Sequence, residues 1–332
     1  MALGVSAILT PVMRKIALRF HILDRPITDV KTHKKPVPYL GGVAIASGLA
    51  ISLLGVRFLT DFPTGTLHAL QGIFAGSTII FLVGLADDCR VGGLRYKQKF
   101  LFQFAAAICL IAFDIRIQFI SPSWFADLLT AVWIVAVINA LNIIDIMDGL
   151  SSGIGIIASL GFLFISLPSE EIYVNFAAAA LAGALLGFLP FNLSNRWKIF
   201  MGDTGSLVMG FVLAALSLGT SYSQFNNLGI FCPILILGIP LYDTFLVTCL
   251  RLNRGMSPFL GSRDHFALRL ETYGFLRKEI LVMSYAASLV LTLVAYEVTT
   301  ITSITYATGL YSAVALTALA LGAWLARIPV NH

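Results

Sequence analysis

Continuous apolar runs recur along the whole of this 332-residue chain, and they restrict its fold more than any single motif does. A bilayer core about 30 Å thick is crossed by roughly 20 apolar helical residues. The runs at 42–59, 68–86, 100–113, 125–144, 153–167, 174–193, 206–220, 228–250, 279–297 and 301–325 reach or approach that length. They do not alternate apolar with polar residues as barrel strands do, and a helix satisfies its own backbone hydrogen bonds in lipid. With 58% hydrophobic and 12% charged residues, the composition lies far from that of a soluble globular domain. The expected fold is all-α: a polytopic integral membrane protein, read as a single transmembrane domain over 1–332.

Residues 2–23 form a weaker first helix that turns basic at Arg14, which brings the expected number of transmembrane helices to about 11. This stretch has no small-residue cleavage site after an apolar core, so it is not read as a removed signal peptide. The loops at 21–41, 87–99, 194–203 and 251–278 hold 16 of the 22 Lys and Arg residues, with only Arg57 and Arg116 on the opposite side. By the positive-inside rule these loops, and the carboxyl terminus, are cytoplasmic. The same distribution explains the net charge of +5 without a nucleic-acid partner. Cys89, Cys109, Cys232 and Cys249 lack the spacing of a zinc site or a disulfide framework.

The polar residues that need explaining all fall on the cytoplasmic side. Asp87 and Asp88 end an apolar run, where unpaired acids are costly. They lie about 100° apart around a helix, which suits two different partners. Lys97, Lys99 and Gln103 follow. Lys31, His33, Lys34 and Lys35 make a basic, proline-stiffened loop that suits either phosphates or anionic lipid heads. Asn139, Asn142, Asp145 and Asp148 recur every third residue, which on a helix predicts one slowly drifting polar stripe.

Asp203 sits between Gly202 and Gly205, with Thr204 and Ser206, just before an apolar helix. The segment reads either as an ordinary N-cap or as a site where backbone N–H groups meet an anion and Asp203 holds a hard cation. The last basic loop carries Arg251, Arg254, Arg263, His265 and Arg269, suited to phosphates, with His265 beside Asp264. Carboxylates, basic groups and amides at one membrane face are what phosphoryl transfer between a nucleotide and a lipid requires.

In these segments the chain resembles the polyprenyl-phosphate N-acetylhexosamine-1-phosphate transferases. The likeness is carried by Asp87-Asp88, by Lys99, Phe100, Leu101 and Gln103, by Asn139, Asn142, Asp145, Asp148, Gly149 and Leu150, and by Phe-Met-Gly-Asp-Thr-Gly-Ser at 200–206. Three departures stand out: Ile146 replaces a usual Gly, Val30 replaces a common Arg, and Ala267 and Leu268 replace later positions of a multi-His motif.

The resemblance implies a bacterial inner-membrane enzyme that moves a sugar 1-phosphate from a UDP-N-acetylhexosamine, expected to be UDP-GlcNAc, to undecaprenyl phosphate with release of UMP. Its cofactor is expected to be Mg²⁺, with Mn²⁺ as a substitute, and a homodimer is compatible with it. The implied catalytic residues are Asp87, Asp88, Asp203 and His265, with Asp203 and Asp88 at the metal. Lys34, Lys99, Asn142, Asp145, Asp148, Asn192 and Arg263 are implied to bind substrates. The alternatives are a phospho-N-acetylmuramoyl-pentapeptide transferase, or a secondary transporter or lipid flippase built on the intramembrane Asp243.

Overall fold

The computed structural model describes residues 1–24, 36–59, 65–168, 171–257 and 263–330. Lys31, His33, Lys34 and Lys35 of the basic loop lie outside the described residues. The chain divides into two compact units, one made of Met1–Ile27 and His33–Thr220, the other of Thr28–Thr32 and Ser221–His332.

The first unit contains α1 (Ala2–Arg19), α2 (Gly41–Leu59), α3 (Thr66–Cys89), α4 (Tyr96–Ala112), α5 (Ser123–Ile143), α6 (Leu150–Ser166), α7 (Ile172–Asn192) and α8 (Gly202–Gly219). Two-residue strands β1 (Leu23–Asp24) and β2 (Val37–Pro38) pair antiparallel beside the start of α2. The centre of this unit is α8. Its sequence is apolar on every side, the pattern of a helix enclosed by others, and Leu207, Val208, Met209, Phe211, Val212 and Leu213 are all buried.

Helices α2, α3, α5, α6 and α7 all pack on α8. Close packing there depends on glycine: a Cβ at Gly42 would lie 2.1 Å from the backbone nitrogen of Gly205. Helix α1 packs on α2 and α7, and its Arg14 donates from Nε to the Lys198 carbonyl at 3.2 Å. The amino-terminal helix thereby ties down the loop that leads into α8.

The second unit begins with a 3₁₀ turn at Asn227–Phe231, followed by α9 (Cys232–Ile236), α10 (Gly238–Asn253), α11 (Phe266–Tyr273), α12 (Arg277–Thr300) and α13 (Ile304–Ala326). The run at 228–250, expected as one straight span, is instead broken, with a 73° bend between Asn227–Ile236 and Gly238–Asn253. Pro240 is the physical reason. It lacks the N–H that would bond the carbonyl of Ile236, and its ring crowds that carbonyl, so the first helix ends and a second begins. Helix α11, within the last basic loop, was not expected from hydropathy because it is too polar and too short to register as a span.

Among the described residues, α2, α3, α5, α7, α8, α12 and α13 are long and apolar enough to cross a membrane, and the bent pair makes an eighth candidate. Helix α6 is a shorter apolar helix. The protein is therefore an all-helical, multi-pass membrane protein, with a helix at every apolar run read from the sequence.

Candidate active site

Asp87 and Asp88 occupy the last turn of α3, and Asp203 the first turn of α8. One carboxylate oxygen from each lies within 4.8 Å of the others. As their angular separation predicts, the adjacent aspartates take different partners. Asp87 accepts from the Leu94 N–H at 2.6 Å and pairs with Lys99 at 2.9 Å. Asp88 is buried and accepts from the N–H of Asp203 at 2.8 Å, the N–H of Thr204 at 3.0 Å and the Thr204 hydroxyl at 2.5 Å.

Asp88 thus caps α8 from a different helix, satisfying two of the free N–H groups at its start. Gly202, at φ +69°, makes this approach feasible, since a Cβ there would meet the Asp88 carboxylate at 2.5 Å. The Lys99 ammonium also contacts the Asp203 carboxylate, so one cation bridges Asp87 and Asp203. Asn142 donates to Asp203 at 3.2 Å and to the Ser206 hydroxyl at 2.9 Å. Gln103 and Asn139, one turn further into α4 and α5, form a reciprocal amide pair at 2.7 and 3.4 Å.

The expected helical stripe is only half helical. Asn139 and Asn142 lie on α5, which ends at Ile143, whereas Asp145 and Asp148 lie in the turn before α6. The turn closes through Gly149 at φ +79°, a left-handed conformation that needs no distortion in glycine. Asn192 accepts from the Gly149 N–H at 2.6 Å and donates to the Ile199 carbonyl at 3.1 Å. It is buried, and in this structure its amide fixes the turn carrying Asp145 and Asp148 to the loop preceding α8.

Asp148 pairs with Lys198 at 2.6 Å. Desolvation, followed by the charges of Asp203, Asp148 and Asp88, pushes Asp145 up to about 7. Desolvation and Asp24, with smaller contributions from Asp88 and Asp203, also push the Tyr39 phenol up, so it remains a neutral donor to Asp24. Lys198 and Tyr39 were not anticipated as site residues. For Lys198 the signal was available: Asp148, next to an apolar helix, needs a cation, and Lys198 precedes the Met-Gly-Asp segment in a loop that α1 and α7 hold.

In the second unit, the His265 Nδ1 lies 2.7 Å from Asp243 Oδ2, and the Phe266 N–H donates to Asp243 Oδ1 at 2.8 Å. His265 was expected to act beside Asp264, but Asp264 is taken by Arg269 at 2.5 Å and Arg254 at 2.9 Å. Arg269 also donates to the carbonyls of Leu325 and Ile328, which locks the loop to the end of α13. Arg269 is therefore structural. Arg263, implied to bind phosphate, has its Nε buried without a hydrogen-bond partner among the described residues.

The model of the family described as Glycosyl transferase family 4 matches residues 70–221, which include Asp87, Asp88, Lys99, Asn142, Asp145, Asp148, Asn192 and Asp203. A Bacillus subtilis (strain 168) protein named "Probable undecaprenyl-phosphate N-acetylglucosaminyl 1-phosphate transferase" is 31% identical over 287 residues, covering 84% of this chain and 77% of the relative. The Decaprenyl-phosphate N-acetylglucosaminephosphotransferase of Mycolicibacterium smegmatis is 28% identical over 305 residues, covering 82% and 74%. The Undecaprenyl-phosphate alpha-N-acetylglucosaminyl 1-phosphate transferase of Escherichia coli (strain K12) is 27% identical over 293 residues, covering 84% and 77%. On the strength of the Bacillus subtilis relative, 31% identical over 84% of this chain and 77% of its own length, the chain belongs to the polyprenyl-phosphate N-acetylhexosamine-1-phosphate transferase family.

Proposed function

We propose that this protein transfers N-acetylglucosamine 1-phosphate from UDP-N-acetylglucosamine to undecaprenyl phosphate, as the first membrane step of an envelope polysaccharide. An oxygen of the lipid phosphate attacks the sugar-bearing phosphorus of the donor. The bond from that phosphorus to the bridging oxygen breaks, and UMP leaves with the electron pair. The observation that carries this reading is the gathering of Asp87, Asp88 and Asp203 around the Lys99 ammonium at one end of α3, α4 and α8.

The donor set fits Mg²⁺, since three carboxylates with oxygens within 4.8 Å of one another are hard ligands, and a cationic group already lies against two of them. Asp203 and Asp88 would hold the ion. Bound there, Mg²⁺ supplies neutralisation of the charge developing on the pyrophosphate. Asp87 orients the acceptor phosphate or takes its remaining proton, and Lys99 balances charge between acceptor and donor. Asn142 keeps Asp203 in position. Asp145, Asp148 and Lys198 engage the uridine side of the donor. Since a phosphate monoester is largely ionised at neutral pH, positioning and electrostatics outweigh base strength in this reaction.

The full topology proposed is eleven spans in a bacterial inner membrane, with this site and the carboxyl terminus cytoplasmic, which the distribution of Lys and Arg supports. Donor identity is tested by mass spectrometry of the lipid product after incubation with undecaprenyl phosphate and a panel of UDP-sugars. A lipid-diphospho-N-acetylhexosamine formed from UDP-GlcNAc is expected. A product formed only from another donor, such as a muramoyl-pentapeptide nucleotide, would replace this reading.

A further inference from the structure

We infer that Asp243 is a positioning residue that fixes the tautomer of His265 and thereby what its Nε2 atom can do. Both side chains are buried, at 0% exposure for Asp243 and 6% for His265. The ring makes one polar contact among the described residues, from Nδ1 to Asp243. A carboxylate only accepts, so Nδ1 carries the proton and Nε2 is left to accept a proton or donate a second one. The backbone is fixed as well. The Phe266 N–H occupies the other Asp243 oxygen, and the neighbouring Asp264 is clamped by Arg254 and Arg269.

This arrangement makes Asp243→Asn a specific probe. The Phe266 N–H still needs an acceptor, so the new amide turns its oxygen to Phe266 and its NH₂ to His265. Nδ1 must then accept, and the ring proton moves to Nε2. A second ring proton would place two donors face to face, so the imidazolium form is lost. The substitution changes neither shape nor backbone bonding, yet it reverses the polarity of the ring. It also gives Asp243 a role other than that of an ion-pathway acid.

The functional consequence rests on the transferase reading, with His265 as one of the catalytic residues that the family resemblance implies. The structural part does not, and the two are measured separately. Full-length protein labelled with ¹⁵N-histidine is reconstituted in nanodiscs, and the His265 resonances are assigned by their disappearance in His265→Gln. Wild type is expected to show a protonated Nδ1 and Asp243→Asn a protonated Nε2. An Nε2–H tautomer in wild type, or an unchanged tautomer in Asp243→Asn, would overturn the inference. In the transfer assay, Asp243→Asn and His265→Gln should each lower kcat/KM for the UDP-sugar by about 100-fold, the range of a positioned proton-transfer group. The double variant should fall within about threefold of either, because groups acting as a unit are non-additive. Asp243→Glu should restore part of the loss. Independent, multiplicative losses would also contradict the inference, whereas absence of transfer in wild type with the tautomer switch intact would remove only the transferase reading.

Discussion

Asp88 on α3 accepts two hydrogen bonds from Thr204 on α8, from its backbone N–H at 3.0 Å and its hydroxyl at 2.5 Å. With a third bond from the Asp203 N–H, this carboxylate sets where α8 begins and so where the Asp203 side chain stands. Asp88 therefore serves the architecture of the site as much as its chemistry. Asp88→Ala would leave two helix-terminal N–H groups and a buried hydroxyl without their acceptor. A destabilisation of about 3 kcal/mol or more is expected, at roughly 1–3 kcal/mol per buried unsatisfied group. Asp203→Asn should cost much less. Thermal inactivation in detergent separates the two, and equal losses would contradict the capping role.

The crossing of α2 over α8 gives a second test. Gly42→Ala places a methyl 2.1 Å from backbone at Gly205, so the helices must separate. Overpacking of this kind costs about 1–3 kcal/mol, and a contact with backbone lies at or above the upper end. Gly4→Ala on α1 meets nothing within 4 Å, and should instead be neutral or stabilising by about 0.5–1 kcal/mol. The melting temperature should fall for Gly42→Ala and stay level or rise for Gly4→Ala.

Lys99 supplies the positive charge between Asp87 and Asp203. Its replacement by Met leaves two carboxylates without that charge, so a divalent cation should bind them more tightly while turnover falls. Titration of activity, and of bound Mn²⁺ by electron paramagnetic resonance, should show a lower apparent Kd for the ion together with at least a tenfold loss of kcat, the order expected for one charged group at a phosphoryl-transfer site. An unchanged or weaker ion affinity would show that lysine and metal do not share these ligands.

Asp145 yields a pH prediction. Its value is 3.8 when unperturbed and is pushed up to about 7 in the fold. Between those values the folded state binds more protons than the unfolded one, so this group's contribution to stability falls as pH rises from about 4 to about 7. Asp145→Asn should flatten that slope and raise thermal stability above wild type at pH 8. A parallel slope in both proteins would remove Asp145 as its source.

The hydropathy of the chain located a helix at every apolar run, because a membrane core permits continuous apolar stretches little else. Asp87, Lys99, Asn142 and Asp203 stood out in the sequence as residue types that cannot sit unpaired near a bilayer, and the structure pairs Asp87 with Lys99 and Asn142 with Asp203. What hydropathy misses is set by backbone detail. Pro240 breaks a run that is apolar throughout, and the turn at Gly149 takes Asp145 and Asp148 off the helix their spacing suggested. Asp243 with His265 was illegible for another reason: the partners are 22 residues apart, a separation that no local period encodes.

In the proposed reaction the carboxylates of α3 and α8 form one Mg²⁺-assisted site for transfer to a polyprenyl phosphate. The decisive measurement is UMP release from UDP-GlcNAc by purified protein, with undecaprenyl phosphate and Mg²⁺ supplied or withheld. UMP is expected only when both are present, and none from a folded Asp203→Asn variant at any Mg²⁺ concentration. Release without the lipid phosphate or the ion, or a metal-independent Asp203→Asn enzyme, would contradict it.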